Sequence, residues 1–162
     1  LKVGIMADSH DNMGKIAAAV QIFNAEGIEL LIHCGDFIAP FTAREMGKLK
    51  CKAYGVFGNN DGEKLGLRSS YSGICEIQEE GFEVEIGGKR AIILHRDSTV
   101  DGLAQSGKYD LVIYGHTHKV DIRDVGKTKV INPGETGGWL TGRGTVVILD
   151  TETMEARVVN LP

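Results

Sequence analysis

The sequence predicts an α/β fold in which two packed, mixed β-sheets are flanked by helices. Three observations carry that expectation. The first third of the chain alternates short apolar runs with segments of helical period. From about residue 74 onward, short strand-like runs follow one another with turn residues between them. The 162 residues, 42% hydrophobic and 25% charged, also hold no linker, repeat or low-complexity tract, so a single domain over 1–162 is expected.

Taken in order, "KVGIMA" (2–7) reads as a buried strand. From Met13 the period changes: Met13, Ile16, Val20 and Phe23 recur at helical spacing, and Gly27 is a stop signal. "ELLIHC" (29–34) reads as a second strand, and a helix over 40–49 follows, with Pro40 where a first turn tolerates it. "KAYGVF" (52–57) is the third strand. Strand–helix–strand units of this kind imply parallel strands with right-handed crossovers. The later strands are "ICEIQ", "FEVEI", "RAIILH", "DLVIYG", "VDIRDV", "TKVINP", "GTVVILD" and "EARVVNL", with one helix over 99–106. The alternation in "FEVEI" marks a strand with one wet face.

Bulk properties exclude several classes. A net charge of −4 argues against an extended nucleic-acid surface or an anionic membrane as partner. Cys34, Cys51 and Cys75 form no CxxC pair and suggest neither a disulfide framework nor a thiolate metal site. No apolar run approaches the roughly 20 residues of a membrane span, and "VGIMA" reads as a strand rather than a signal peptide. A cytoplasmic location is therefore expected. "GLAQSGKY" (102–109) nearly matches a phosphate-binding loop, but Tyr109 replaces the required Ser or Thr and the segment runs from helix toward strand.

The polar residues fall in one pattern. Asp8, Asp36, Asn59, His95 and His116 each follow an apolar run, so all lie near strand C-terminal ends. In open parallel sheets that edge is where ligands bind. His10 and His118 stand two residues after Asp8 and His116, and an i, i+2 pair leaving an extended segment points its side chains the same way. Carboxylate, amide and imidazole suit Mn, Fe, Ni, Co or Zn. Seven such groups exceed the needs of one tetrahedral ion but suit two, with Asp36 in the compact "HCGDF" turn as bridge. Ions about 3.5–4 Å apart stabilise both the attacking and leaving oxygens of an in-line displacement, and would give an acidic protein a local well for a phosphate ester.

These residues resemble those of the calcineurin-like metallophosphoesterases. The pattern stands here as Asp8-Ser9-His10, Gly35-Asp36, Gly58-Asn59, His95 and Gly115-His116-Thr117-His118, spanning residues 3 to about 150. The small size and the "INPGE" turn (131–135) are similar to the compact archaeal and bacterial phosphodiesterase branch. The resemblance implies a metallophosphoesterase-like α/β/β/α sandwich. It implies one metal on Asp8, His10, Asp36 and His118, and another on Asp36, Asn59, His95 and His116. It further implies in-line hydrolysis of a phosphoester, a diester above all, by a metal-bridging hydroxide, with Mn the first expectation and Ni, Fe or Zn behind it. The partner is then a small phosphoester, and family habit implies a homodimer. The alternative is a scaffold module that keeps the fold without catalysis; retention of every ligand position disfavours it.

The sequence departs from the family at two places. Many members follow Gly-Asn with a histidine that protonates the leaving group; here Asn60 stands there, able only to hydrogen-bond a phosphate oxygen. Loss of a general acid is worth roughly 10²–10⁴ for poor leaving groups, so no residue is assigned as catalytic acid. Where Gly-His commonly follows the metal histidine stands Arg96-Asp97. Arg96 either grips phosphate or pairs with Asp97 or solvent. Four further expectations are structural. His33 is a core or near-site residue, and Asp61 either orients neighbouring groups or completes a turn. The cysteines are reduced, and Trp139 in "GETGGWLTG" is a partly buried loop anchor, with a lid or subunit contact as the alternative.

Overall fold

The computed structural model describes residues 1–162, the whole sequence. Its strands are β1 (Lys2–Met6), β2 (Leu30–His33), β3 (Lys52–Val56), β4 (Cys75–Gln78), β5 (Phe82–Ile86), β6 (Lys89–Ile93), β7 (Leu111–Ile113), β8 (Val120–Val125), β9 (Thr128–Pro133), β10 (Thr145–Asp150) and β11 (Glu155–Asn160). Its helices are α1 (Met13–Glu26), α2 (Ala43–Met46), α3 (Lys64–Ser70) and α4 (Val100–Gln105). None is long and apolar enough to cross a membrane.

One sheet has the order β11-β10-β1-β2-β3-β4 and the other β5-β6-β7-β9-β8. β1 to β4 pair in parallel, as do β6 with β7 and β7 with β9, while β10, β11, β5 and β8 are antiparallel to their neighbours. The mixed sheets thus match the expected fold class.

Period-two alternation builds the layers. Val3, Ile5 and Ala7, with Leu30, Ile32 and Cys34, meet Ala91, Ile93, Leu111 and Ile113 between the sheets. The intervening Met6 and Leu31 face outward against Ile16, Val20 and Phe23 of α1. In the second sheet Ile92, Val112 and Val130 face Val100 and Ala104 of α4. Each central strand therefore buries both faces, and each fully buried aliphatic side chain contributes about 1.5–3 kcal/mol. Four layers result, α/β/β/α.

Two helices differ from expectation. The segment expected as a helix over 40–49 is a 3-10 turn over Pro40–Thr42 followed by α2, which stops at Gly47. α3 was not foreseen; it buries only Leu67 and leaves Leu65 exposed, so its sequence has little helical period. The three cysteines are free.

Candidate metal centre

Parallel β1, β2 and β3 of one sheet and β6 and β7 of the other all end at the same edge, and the ladder stops two or three residues before each polar residue. The chain then turns left-handed. Asp8, His10, Asp36, His116 and His118 have φ of 52°, 40°, 60°, 69° and 60°. Asp11, Ile38 and Met154 are the other non-glycine residues with positive φ. The side chains do converge, but not by the extended i, i+2 geometry expected from sequence. They converge because single residues enter the left-handed region, which Asp, Asn and His tolerate best. Each such residue costs roughly 1–2 kcal/mol, and strain of this kind clusters at functional sites.

Tight bonding between the loops holds that backbone. Asp8 N donates to the Gly35 carbonyl at 3.0 Å, His10 N to Asp36 at 3.1 Å and Gly115 N to His95 at 3.1 Å. His116 N donates to Asp8 Oδ2 at 2.9 Å. Glycine is required where the loops touch. A Cβ on Gly58 would lie 2.1 Å from Asp36 Oδ1, and one on Gly35 2.6 Å from His95 Nδ1.

All seven sequence-predicted ligands meet here. Asp36 Oδ2 lies 3.2 Å from His10 Nε2 and 3.5 Å from His95 Nε2. Asp8 Oδ1 lies 3.7 Å from His10 Nε2 and 3.5 Å from His118 Nε2. Asn59 Oδ1 lies 2.8 Å from His95 Nε2 and 3.0 Å from His116 Nδ1. One group is therefore Asp8, His10 and His118, the other Asn59, His95 and His116. Asp8, Asp36 and His95 can also offer atoms within 4.8 Å of one another, so Asp8 approaches both groups. Asp8 Oδ2, however, is taken by the His116 amide, whereas Asp36 Oδ2 meets an imidazole from each group.

The donor set fits divalent cations. Asp8 Oδ1, His10 Nε2 and His118 Nδ1 are buried without a hydrogen-bond partner, an arrangement that is costly unless something binds there. The Asp36 and Asp8 carboxylates beside His10 raise its pKa to about 10. Burial opposes ionisation of Asp36, but the His10 bond, the His95 imidazole and both Asn60 N–H groups hold its carboxyl well below the usual range.

Comparison with known proteins decides the family. The profile of the "calcineurin-like phosphoesterase superfamily domain" matches residues 1–154. The chain belongs to that superfamily. A phosphodiesterase of Methanocaldococcus jannaschii is 42% identical over 165 residues, covering 99% of both chains. A solved archaeal phosphodiesterase superposes with a TM-score of 0.94 at 42% identity, covering 99% of this chain and 100% of the other. Vps29 of Chaetomium thermophilum shares the fold alone, with a TM-score of 0.71 at 13% identity over 99% of this chain and 95% of its own.

Within this calcineurin-like phosphoesterase, several supporting residues were not assigned from sequence. Glu135 is buried beside His118, its Oε1 3.3 Å from Nδ1. Burial disfavours its charge, yet bonds from Leu140 N, the Thr141 hydroxyl and Thr141 N lower its pKa. Asn132 Nδ2 donates to the Gly115 carbonyl at 2.9 Å and to Thr117 Oγ1 at 3.1 Å, fixing the Gly-His-x-His loop. His95 Nδ1 meets the Cys34 carbonyl at 2.7 Å; as donor there, it leaves Nε2 to face the site. His33, kept near 3 by burial, accepts Gly35 N at Nδ1 and meets Ser9 Oγ at 3.0 Å, so it is a near-site residue.

Asp61 is an organiser rather than merely a turn residue. Its Oδ2 accepts Asp36 N at 2.9 Å and Gly58 N at 2.7 Å, and its Oδ1 accepts Ile38 N at 2.8 Å. Asp61→Ala leaves these three donors unpaired and is expected to destabilise the fold by about 3 kcal/mol or more. Urea denaturation checks this; a loss below about 1 kcal/mol would contradict the role.

The remaining sequence expectations fare unevenly. Asn60 donates its side-chain amide to Asp36 Oδ2 and its backbone N–H to Oδ1, both at 2.9 Å. Arg96, an exposed residue, pairs with Glu80 rather than Asp97: Nη1 meets Glu80 Oε1 at 2.7 Å, while Glu80 Oε2 accepts the backbone N–H groups of His95 and Arg96. Trp139 is 64% exposed rather than partly buried, although its Nε1 does anchor it, donating to the His10 carbonyl at 3.0 Å.

Proposed function

We propose that this chain is a metal-dependent phosphodiesterase that hydrolyses a small phosphoester at the edge shared by its two sheets. The observation that carries the proposal is the convergence of two groups, Asp8–His10–His118 and Asn59–His95–His116, on Asp36, whose Oδ2 lies 3.2 Å from His10 Nε2 and 3.5 Å from His95 Nε2. The diester preference draws on the M. jannaschii relative, which is named a phosphodiesterase.

Asp8, His10, Asp36 and His118 would hold one divalent ion; Asp36, Asn59, His95 and His116 would hold the second. Mn is the first expectation for both, with Ni, Fe or Zn behind it. When bound, such ions screen phosphate charge and lower the pKa of water. The chain's own residues do the rest. Asp36 keeps the two groups in register through Asp61, which bonds its backbone N–H. Glu135 sets the edge of His118 that faces away from Asp8. Asn60, exposed and neutral, offers N–H to a phosphate oxygen, and Arg96 can do so on leaving Glu80. The setting we infer is the cytoplasm, the chain a single domain over 1–162, and the assembly a homodimer. The scaffold alternative does not call for a complete ligand set with orphaned buried atoms.

With Asn60 in the usual acid's place, the residue at that position cannot protonate a poor leaving group. Bis(p-nitrophenyl) phosphate is therefore expected to be cleaved at least about 10²-fold faster than an unactivated alkyl monoester. Steady-state rates on the two substrates provide the test, and equal or faster monoester hydrolysis would overturn the assignment.

A further inference from the structure

The loop over residues 137–142 lies on the Asp8–His10 turn. Gly137 N donates to the Asp8 carbonyl at 3.0 Å. Asn12 Nδ2 donates to the Gly137 carbonyl at 2.7 Å, and Trp139 Nε1 to the His10 carbonyl at 3.0 Å. On the other side Glu135 accepts Leu140 N and Thr141 N, each at 2.8 Å, and the Thr141 hydroxyl at 2.7 Å. The loop is thus fastened to the segment bearing two candidate ligands and to the acid beside a third.

So firmly held a loop still presents apolar surface to water. Trp139 is 64% exposed and Leu140 79%. Most tryptophans bury the greater part of the indole. Here the N–H edge is fixed on His10, which leaves most of the ring uncovered beside the site. The ring does not need to be ordered by whatever binds it, so little conformational entropy is lost on contact. The ring is thus bonded to the residue that carries a candidate ligand, on the side where the planar substituent of a bound phosphoester would have an aromatic face to lie against.

We propose that Trp139 is a stacking platform for the ester substituent, and that the preferred substrate is a diester carrying a nucleobase. This inference rests on the phosphodiesterase reading above. Stacking uses a face that every base has, so it selects a nucleotide over a base-free phosphate more strongly than one base over another.

Trp139 is the chain's single tryptophan, so its emission reports this ring. Adenosine 5′-monophosphate and ribose 5-phosphate would be titrated into Mn²⁺-loaded protein, with binding also measured by calorimetry. Adenosine 5′-monophosphate is expected to quench Trp139 saturably and to bind about tenfold or more tightly than ribose 5-phosphate. In W139A the ratio of the two affinities should fall toward one, and in W139F part of it should return. Equal affinities in the unmodified protein would overturn the platform while leaving the phosphate site standing. Failure of both ligands to bind protein that still takes up Mn²⁺ would overturn the phosphate reading and the platform with it. An unchanged ratio in W139A, with an altered oligomeric state on size exclusion, would make Trp139 a contact between copies instead.

Discussion

Asp36→Asn is expected to lower kcat/KM on bis(p-nitrophenyl) phosphate at least about 10³-fold, beyond the roughly 10–100-fold that loss of an outer partner brings. Asp36 Oδ2 is 3.2 Å from His10 Nε2 and 3.5 Å from His95 Nε2, so the substitution removes a full charge from an oxygen that faces an imidazole of each group. The shape of the side chain is kept, and Asp61 bonds the backbone N–H of residue 36, which the variant retains. The loss should therefore appear in metal content and activity, with the thermal midpoint little changed. Elemental analysis beside the kinetics separates the two effects. Metal content and activity within tenfold of the unmodified protein would remove Asp36 from the centre.

Gly58→Ala should be nearly as damaging, although Gly58 has no side chain to offer the site. The added Cβ would lie 2.1 Å from Asp36 Oδ1, 2.5 Å from Asp36 N and 2.8 Å from its Cγ. The backbone nitrogen cannot swing aside as a flexible side-chain tip can. Either the Gly-Asn turn or the Gly-Asp turn must shift, and overpacking of this kind typically costs about 1–3 kcal/mol. A shift of about 1 Å also misplaces the bridge, which can cost about 10²-fold in rate. Gly62→Ala is the control: it lies one residue beyond Asp61, with nothing within 4 Å of an added Cβ. The expected result is full activity in Gly62→Ala and a loss of metal and activity in Gly58→Ala. Equal behaviour of the two variants would show that the close approach is not what glycine serves there.

The convergence of the candidate site residues was legible because five of them, Asp8, Asp36, Asn59, His95 and His116, follow apolar runs, and because both sheets had to place those runs' ends at one edge. The number of layers was legible for a related reason: central strands such as β1 and β2 read as continuously apolar, which requires cover on both faces. The backbone that aims the ligands was not legible. Asp8 and His10 stand two apart, which suggests an extended pair, yet each enters the left-handed region. No periodicity announces such a turn. Residues whose partners are distant in sequence were likewise hidden. Glu135 reads as part of a "PGE" turn until His118 is found against it, and Arg96 reads as free or bound to Asp97 until Glu80, 16 positions away, supplies its carboxylate. The "PGE" acid was the one available hint, since a carboxylate buried behind a turn needs several donors. α3 was missed because Gly66 interrupts it and only Leu67 is buried.

We propose that the seven converging residues make this chain a metal-dependent phosphodiesterase. It is tested most directly by stripping the protein with chelator and following hydrolysis of bis(p-nitrophenyl) phosphate as Mn²⁺ is returned. Stripped protein should show no hydrolysis, and activity should rise with Mn²⁺ to saturation. A flat trace from protein shown to be folded and loaded with Mn²⁺ would contradict it and favour a metal-binding scaffold.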